Sequence, residues 1–191
     1  MGAIVVLLND YIEKHRKGVT AMNLSTGVLI RFTKALAVMF FGLYVFLVAF
    51  GNITDYNTNF QFVKHVLSMD TTFPDNNIMY RAITGTTIHH IGYIAIIITE
   101  VAVALICIWG SLRLFSHLHA DAESFHKAKN VSIAGLILGL CVWFLGFQVI
   151  GGEWFGMWMS SEWNGLFPAD RLTTFMMGVL IFLTMKNDEV N

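Results

Sequence analysis

Charge is what this sequence lacks most. Asp, Glu, Lys and Arg make up 13% of its 191 residues, about half the roughly 25% usual in soluble domains. The net charge is −1, which leaves no basic footprint for a nucleic acid. Cysteine is scarce too: Cys107 and Cys141 both lie inside apolar runs and read as small hydrophobes rather than a disulfide or a metal pair. No Walker loop, dinucleotide fingerprint, HExxH or CxxC spacing, or ordered Ser-His-Asp set occurs, so nothing here announces an independent catalyst. What is present is apolar. Hydrophobic residues make up 55% of the chain, with sixteen Phe and ten Met, a composition that points to lipid as the solvent.

The most informative stretch is Thr87–Trp109, TIHHIGYIAIIITEVAVALICIW. It is long enough to cross a bilayer, yet carries His89 and His90 near one end and Glu100 in its middle. An ionisable group at bilayer depth costs roughly 2.5–3.5 kcal/mol on insertion scales, so such residues face protein or water. His89 and Glu100 fall roughly 20° apart around a helix axis. Tyr93 and Cys107 continue the same face, which predicts a guarded polar stripe.

Four spans are expected, at about residues 30–51, 89–110, 131–150 and 169–185. The last has a short apolar portion and needs the turn at Pro168, which suits a first helical turn. The expected division is a cytoplasmic N-terminal amphipathic segment, residues 1–29, followed by a membrane domain over 30–191. Ala3–Leu8 is too short for a signal peptide and lacks a preceding positive region and a cleavage site. Val6 breaks the myristoylation pattern. Lys14, Arg16, Lys17, Arg31, Lys34, Arg113, Lys127, Lys129 and Lys186 fall on one side of the membrane, against Lys64, Arg81 and Arg171 on the other. The positive-inside rule then places both termini in the cytoplasm, and the expected location is the inner membrane.

Two segments would face outside. In the first, Phe60, Val63, Val66 and Leu67 recur at helical spacing, which predicts an amphipathic surface helix capped by Asn57 or Asp55. The second, GGEWFGMWMSSEWNGLFP, holds Trp154, Trp158 and Trp163, which suit an interfacial aromatic belt. Gly135 and Gly139 form a small-residue seam that would pack inside the bundle or against a partner. The fold class expected is therefore all-α: a four-helix transmembrane bundle with an outer-face amphipathic helix and a Trp-rich outer segment.

Candidate chemistry gathers on that outer face. His65 and Met69 are four apart and would point the same way from a helix. His89 and His90 open the second span, and Gln148, Glu153 and Trp154 close the third. Imidazole with thioether suits copper or haem iron, and imidazole with carboxylate suits zinc or non-haem iron. A metal set would draw on His65, His89, His90 and Glu153, and the wider cofactor set adds Met69, Gln148 and Trp154. The same groups would also line a quinone headgroup pocket. The plainer reading is a set of interfacial polar residues tied into hydrogen bonds. Glu100 reads either as a proton-carrying group or as a carboxyl bonded to the first span through Tyr44 or Thr33. His117, His119, Asp121, Glu123 and His126 fit a solvated, mixed-charge helical loop better than a metal site.

The strings GNITDYNTNFQFVKHVLSMDT, HHIGYIAIIITE and FQVIGGEWFGMWMSSEWNG resemble a bacterial family of predicted small integral membrane proteins. The resemblance runs from about Thr26 to Met185 and leaves Met1–Ser25 outside it. It implies four membrane helices and attaches no activity, ligand or partner. Asn52, Asp55, His65, Asp70, His89, Glu100, Glu153 and Trp154 match its motif positions without acquiring roles from it. The expected function is a non-catalytic accessory subunit of a larger membrane complex, redox or oxygenase in kind. Its polar cap would shape or hold a metal, haem or quinone, and its partners would be the lipid bilayer and other membrane subunits or a second copy. Two alternatives stand beside it: a stand-alone haem b or copper protein, and a small proton-coupled transporter or channel built on Glu100.

Overall fold

A computed structural model of the chain describes residues 25–189, so residues 1–24 of the expected N-terminal segment lie outside the described residues, while its last residues, 26–29, belong to the first membrane helix. Within them the chain is all-helical, without a strand, and four helices are long and apolar enough to cross a membrane. Helix α1 spans Thr26–Thr54 and starts where Ser25 Oγ accepts the Val28 N–H. It stops at Asp55, and α2, Tyr56–Ser68, begins directly after the bend. Asp55 holds the cap position of α2 without a side-chain capping bond. A single 3₁₀ turn, Met79–Arg81, leads to α3, Thr86–Ser116.

Helix α4, Ala122–Leu140, is capped by Asp121, whose carboxylate accepts from the Ser124 N–H at 2.9 Å and its hydroxyl at 2.7 Å. These bonds hold the Asp121 carboxyl below its ordinary value. The helix then continues as a wider π-helical segment, Cys141–Trp154, in which the Phe155 N–H reaches back to the Ile150 carbonyl. The third apolar helix is thus longer than the 131–150 span, because the polar stretch before it is helical and continuous with it. A short turn, Met157–Met159, precedes α5, Leu166–Thr184, with Pro168 in its first turn.

Helices α1 and α3 run antiparallel. Ser111 of α3 donates to the Ala35 carbonyl of α1, and Asn52 meets Glu100. Their seam is filled by Ala35, Val38, Phe41, Val103 and Cys107, all buried. Helices α3 and α4 approach most closely at two glycines: a Cβ at Gly110 would stand 2.8 Å from the Ser132 nitrogen, and one at Gly135 would stand 2.6 Å from Cys107 Sγ. The Gly135 seam therefore packs inside the bundle rather than against a partner. Helix α5 closes the core through Met176, Val179 and Leu183. The outward faces carry Phe40, Leu47, Ile91, Ile98, Leu105 and Ile181, large apolar side chains suited to lipid contact.

Helix α2 lies across the start of α3. Phe60 and Val63 pack on Tyr93 and Ile97 as a second apolar cluster. The helix ends because Met69 turns left-handed (φ 55°) and buries its side chain. Met69 therefore does not project alongside His65, as continued helical spacing would have it. The Trp-rich chain folds near this end too. Arg81 donates to the Glu153 and Trp154 carbonyls, with its guanidinium 4.7 Å from the Trp154 ring centroid.

Candidate functional site

The polar stripe on α3 is buried as its spacing predicts: His89, Tyr93, Glu100 and Cys107 are each no more than 2% exposed. Glu100 does find its partner on α1, but the partner is Asn52 rather than Tyr44 or Thr33. Asn52 Nδ2 donates to Glu100 Oε2 at 2.7 Å, and the Tyr93 hydroxyl donates to the Asn52 carbonyl at 3.0 Å. Thr33 is spent on its own helix, donating to the Leu29 carbonyl. Asn52 matched only a family-motif position in the sequence and carried no role there, although a polar amide one residue beyond Gly51 at the end of an apolar span was the signal available.

This polar group opens on a cavity of about 260 Å³, lined by Tyr44, Asn52, Asn59, Tyr93, Glu100 and Trp143 among others. A second cavity, about 430 Å³, lies beside it between α2, α3 and the π-helical segment. Its lining is apolar, with Leu67, Ala95, Val142 and Ile150 prominent. Phe62, Val63, Ile96 and Phe147 belong to the walls of both. Wide π turns recur at functional sites because they displace side chains from the regular helical pattern. Here that segment forms one wall of the larger cavity. The pair is a small, mostly apolar chamber with a few polar groups in its wall and a larger apolar slot next to it.

The remaining candidates are held separately. His65 Nδ1 meets both Asp70 oxygens at 2.9 Å, and its ring stacks on Trp163 at 4.7 Å. His89 Nε2 is bonded to the Ile83 carbonyl at 2.6 Å, and among the described residues its buried Nδ1 has no partner. His90 stacks on Phe60 at 4.0 Å and meets the Tyr56 hydroxyl at 2.8 Å through Nδ1. Gln148 donates to Thr173. Glu153 and Trp154 are exposed. Among the described residues, no three His, Cys, Asp or Glu side chains gather as a metal set. Topology brought these segments to one end of the bundle, but neighbouring aromatics and carbonyls took up each imidazole individually.

A second polar site, absent from the candidate residues above, sits at the opposite end. Arg31, Lys34 and Lys129 are each 0% exposed. Lys34 and Lys129 reach Asp188 Oδ2 at 2.9 and 2.6 Å. Arg31 donates to the carbonyls of Leu118, Ala120 and Asp188, with Phe125 under its guanidinium at 4.5 Å. Burial works to raise the Asp188 carboxyl, but the Lys129 and Lys34 ammoniums outweigh it and hold the group below its ordinary value. From Lys34 to Asn52 along α1 is about 27 Å of helical rise, close to the ~30 Å hydrocarbon thickness of a bilayer. The two polar sites thus stand about one membrane width apart.

Four apolar helices, buried polar groups at both ends and a lipid-suited surface define a small multi-pass integral membrane protein. The family described as "Predicted small integral membrane protein (DUF2165)" matches residues 30–186, and the chain belongs to it. Searches of curated proteins and of solved structures gave no match.

Proposed function

We propose that this chain is a non-catalytic membrane subunit that holds an amphiphile of quinone type. A polar ring would rest against Asn52 and Glu100, and an apolar tail would fill the neighbouring slot. The observation that carries this reading is the pairing itself: a smaller, mostly apolar cavity with Asn52, Asn59 and Glu100 in its wall, and a larger apolar cavity that shares four wall residues with it. Ligand pockets are characteristically apolar with a few placed polar groups, and two such compartments side by side match a molecule with a polar head and a greasy tail. In this reading a redox partner would supply or take the electrons, so the subunit would sit beside a larger redox or oxygenase complex. The basic end would face the cytoplasm, as charge bias favours, so that α2 and the Trp-rich segment cap the outer side of the inner membrane.

The test is retention of benzoquinols, the reduced forms whose hydroxyls can donate to a carboxylate, with and without an isoprenoid tail, by the reconstituted protein. Glu100→Gln should lower retention of both about tenfold, the effect of losing about one charge-assisted hydrogen bond from a quinol hydroxyl to the carboxylate. Ala95→Phe, which fills the slot, should weaken only the tailed compound. Unchanged retention in both variants would refute the reading. One observation favours a second reading, that Glu100 carries protons: its carboxylate is buried with a single side-chain partner, Asn52. Proton flux into liposomes that disappears in Glu100→Gln, with quinol retention unaltered, would select that reading instead. For haem b or copper, the described residues offer His65, His89 and His90 only in separate settings.

A further inference from the structure

The site at the basic end has an imbalance that the quinone reading neither needs nor explains. Among the described residues, three fully buried cations, Arg31, Lys34 and Lys129, face one carboxylate, Asp188. Arg31 Nη2 is buried and has no hydrogen-bond partner there. Uncompensated buried charge is costly, and a guanidinium presents a planar fork that fits phosphate as well as carboxylate. Among the described residues these groups are covered by the tail around Asp188, by the Leu118–Ala120 connection and by Phe125. Asp188 lies four residues beyond the end of α5, and its neighbours Lys186, Asn187 and Glu189 are exposed. Leu29, Phe32, Ile181 and Met185 are exposed apolar residues near the same helix ends. In a bilayer this puts the cations near the level of the lipid phosphates.

We propose that this is a phosphate-binding site at the membrane surface, occupied in this structure by the chain's own Asp188. A phosphate-bearing headgroup displaces the tail, supplies the second negative charge and takes the N–H groups of Arg31 Nη2. Basic pockets between membrane helices take anionic headgroups in this way. The tail residue is then a built-in competitor, and anionic lipid releases the C-terminal segment from the bundle.

The experiment uses the full chain in nanodiscs of phosphatidylcholine, of phosphatidylcholine with phosphatidylglycerol, and of phosphatidylcholine with inorganic phosphate in the buffer. Amide hydrogen exchange over residues 183–189 reports the tail, and thermal melting reports the clamp. Phosphatidylglycerol should raise tail exchange several-fold. Asp188→Asn should melt lower in phosphatidylcholine and regain most of that loss in phosphatidylglycerol. Arg31→Gln, or Lys129→Gln should the former fail to fold, should leave tail exchange indifferent to lipid. If inorganic phosphate reproduces the lipid effect, the ligand is a free phosphate and the site stands. If neither source changes tail exchange and Asp188→Asn is not rescued, the proposal is overturned. An equal lipid response in the Arg31 or Lys129 variant overturns it as well, since bulk surface charge would then be the cause.

Discussion

Asp188→Ala should destabilise the protein in neutral lipid by about 3–5 kcal/mol, the cost of removing one partner from a buried charge pair. The effect is large because one carboxylate serves two lysines that are both fully buried. The loss also strands groups from distant parts of the chain. Arg31 ties the tail and the α3–α4 connection to α1, so the clamp closes one end of the bundle. The sign of the pH dependence follows from the same contacts. The folded Asp188 carboxyl sits below its ordinary value of 3.8. Its stabilisation is therefore complete above that value and is lost as the pH falls through the folded one. Melting temperature in phosphatidylcholine nanodiscs should drop on acidification in the wild type, and that component of the drop should be missing in Asp188→Ala. A melt of the variant within 1 °C of the wild type at neutral pH would remove the clamp from the account.

Gly110→Ala should be the most damaging small substitution in the membrane helices. The added Cβ would sit 2.8 Å from the Ser132 backbone nitrogen and 2.9 Å from its Cα, and backbone cannot rotate away as a side-chain tip can. Overpacking of this sort costs about 1–3 kcal/mol, occasionally more, because α3 and α4 must separate along their length. Gly178→Ala is the matched control. Nothing lies within 4 Å of a Cβ there, and alanine is the better helix former by about 1 kcal/mol, so that variant should be neutral or slightly stabilised. Thermal melting of the pair in one lipid distinguishes tight packing from a general intolerance of glycine replacement.

The four crossings were legible in the sequence because length and apolarity are nearly sufficient to define a span. The buried face of α3 was legible for a similar reason, since His89, Tyr93, Glu100 and Cys107 follow helical spacing. Partners were harder to read. Glu100 on α3 pairs with Asn52 on α1 because two helices run antiparallel in one register, and no local pattern encodes that register. Arg31 and Lys34 illustrate a different limit. Counted as head-of-span charges they fit the positive-inside rule, yet they continue the inward stripe of Ala35, Val38, Phe41 and Val45. That periodicity was the available signal for burial, and the counter-charge, Asp188, lies more than 150 residues away. Met69 departed from its spacing with His65 because a left-handed residue ends α2 one position earlier. The imidazoles were assigned to a shared centre on topology, whereas stacking on Phe60 and Trp163 and bonds to Ile83 and Asp70 engage them one by one.

The paired cavities are the centre of the functional account, and a photoreactive quinone bearing an isoprenoid tail addresses them most directly. After cross-linking in nanodiscs and peptide mapping, label should fall on residues 62–67, 92–100 and 141–157 and be displaced by excess unlabelled quinone. Label spread over lipid-facing positions such as Phe40, Leu47 and Leu105, undiminished by competitor, would contradict the account.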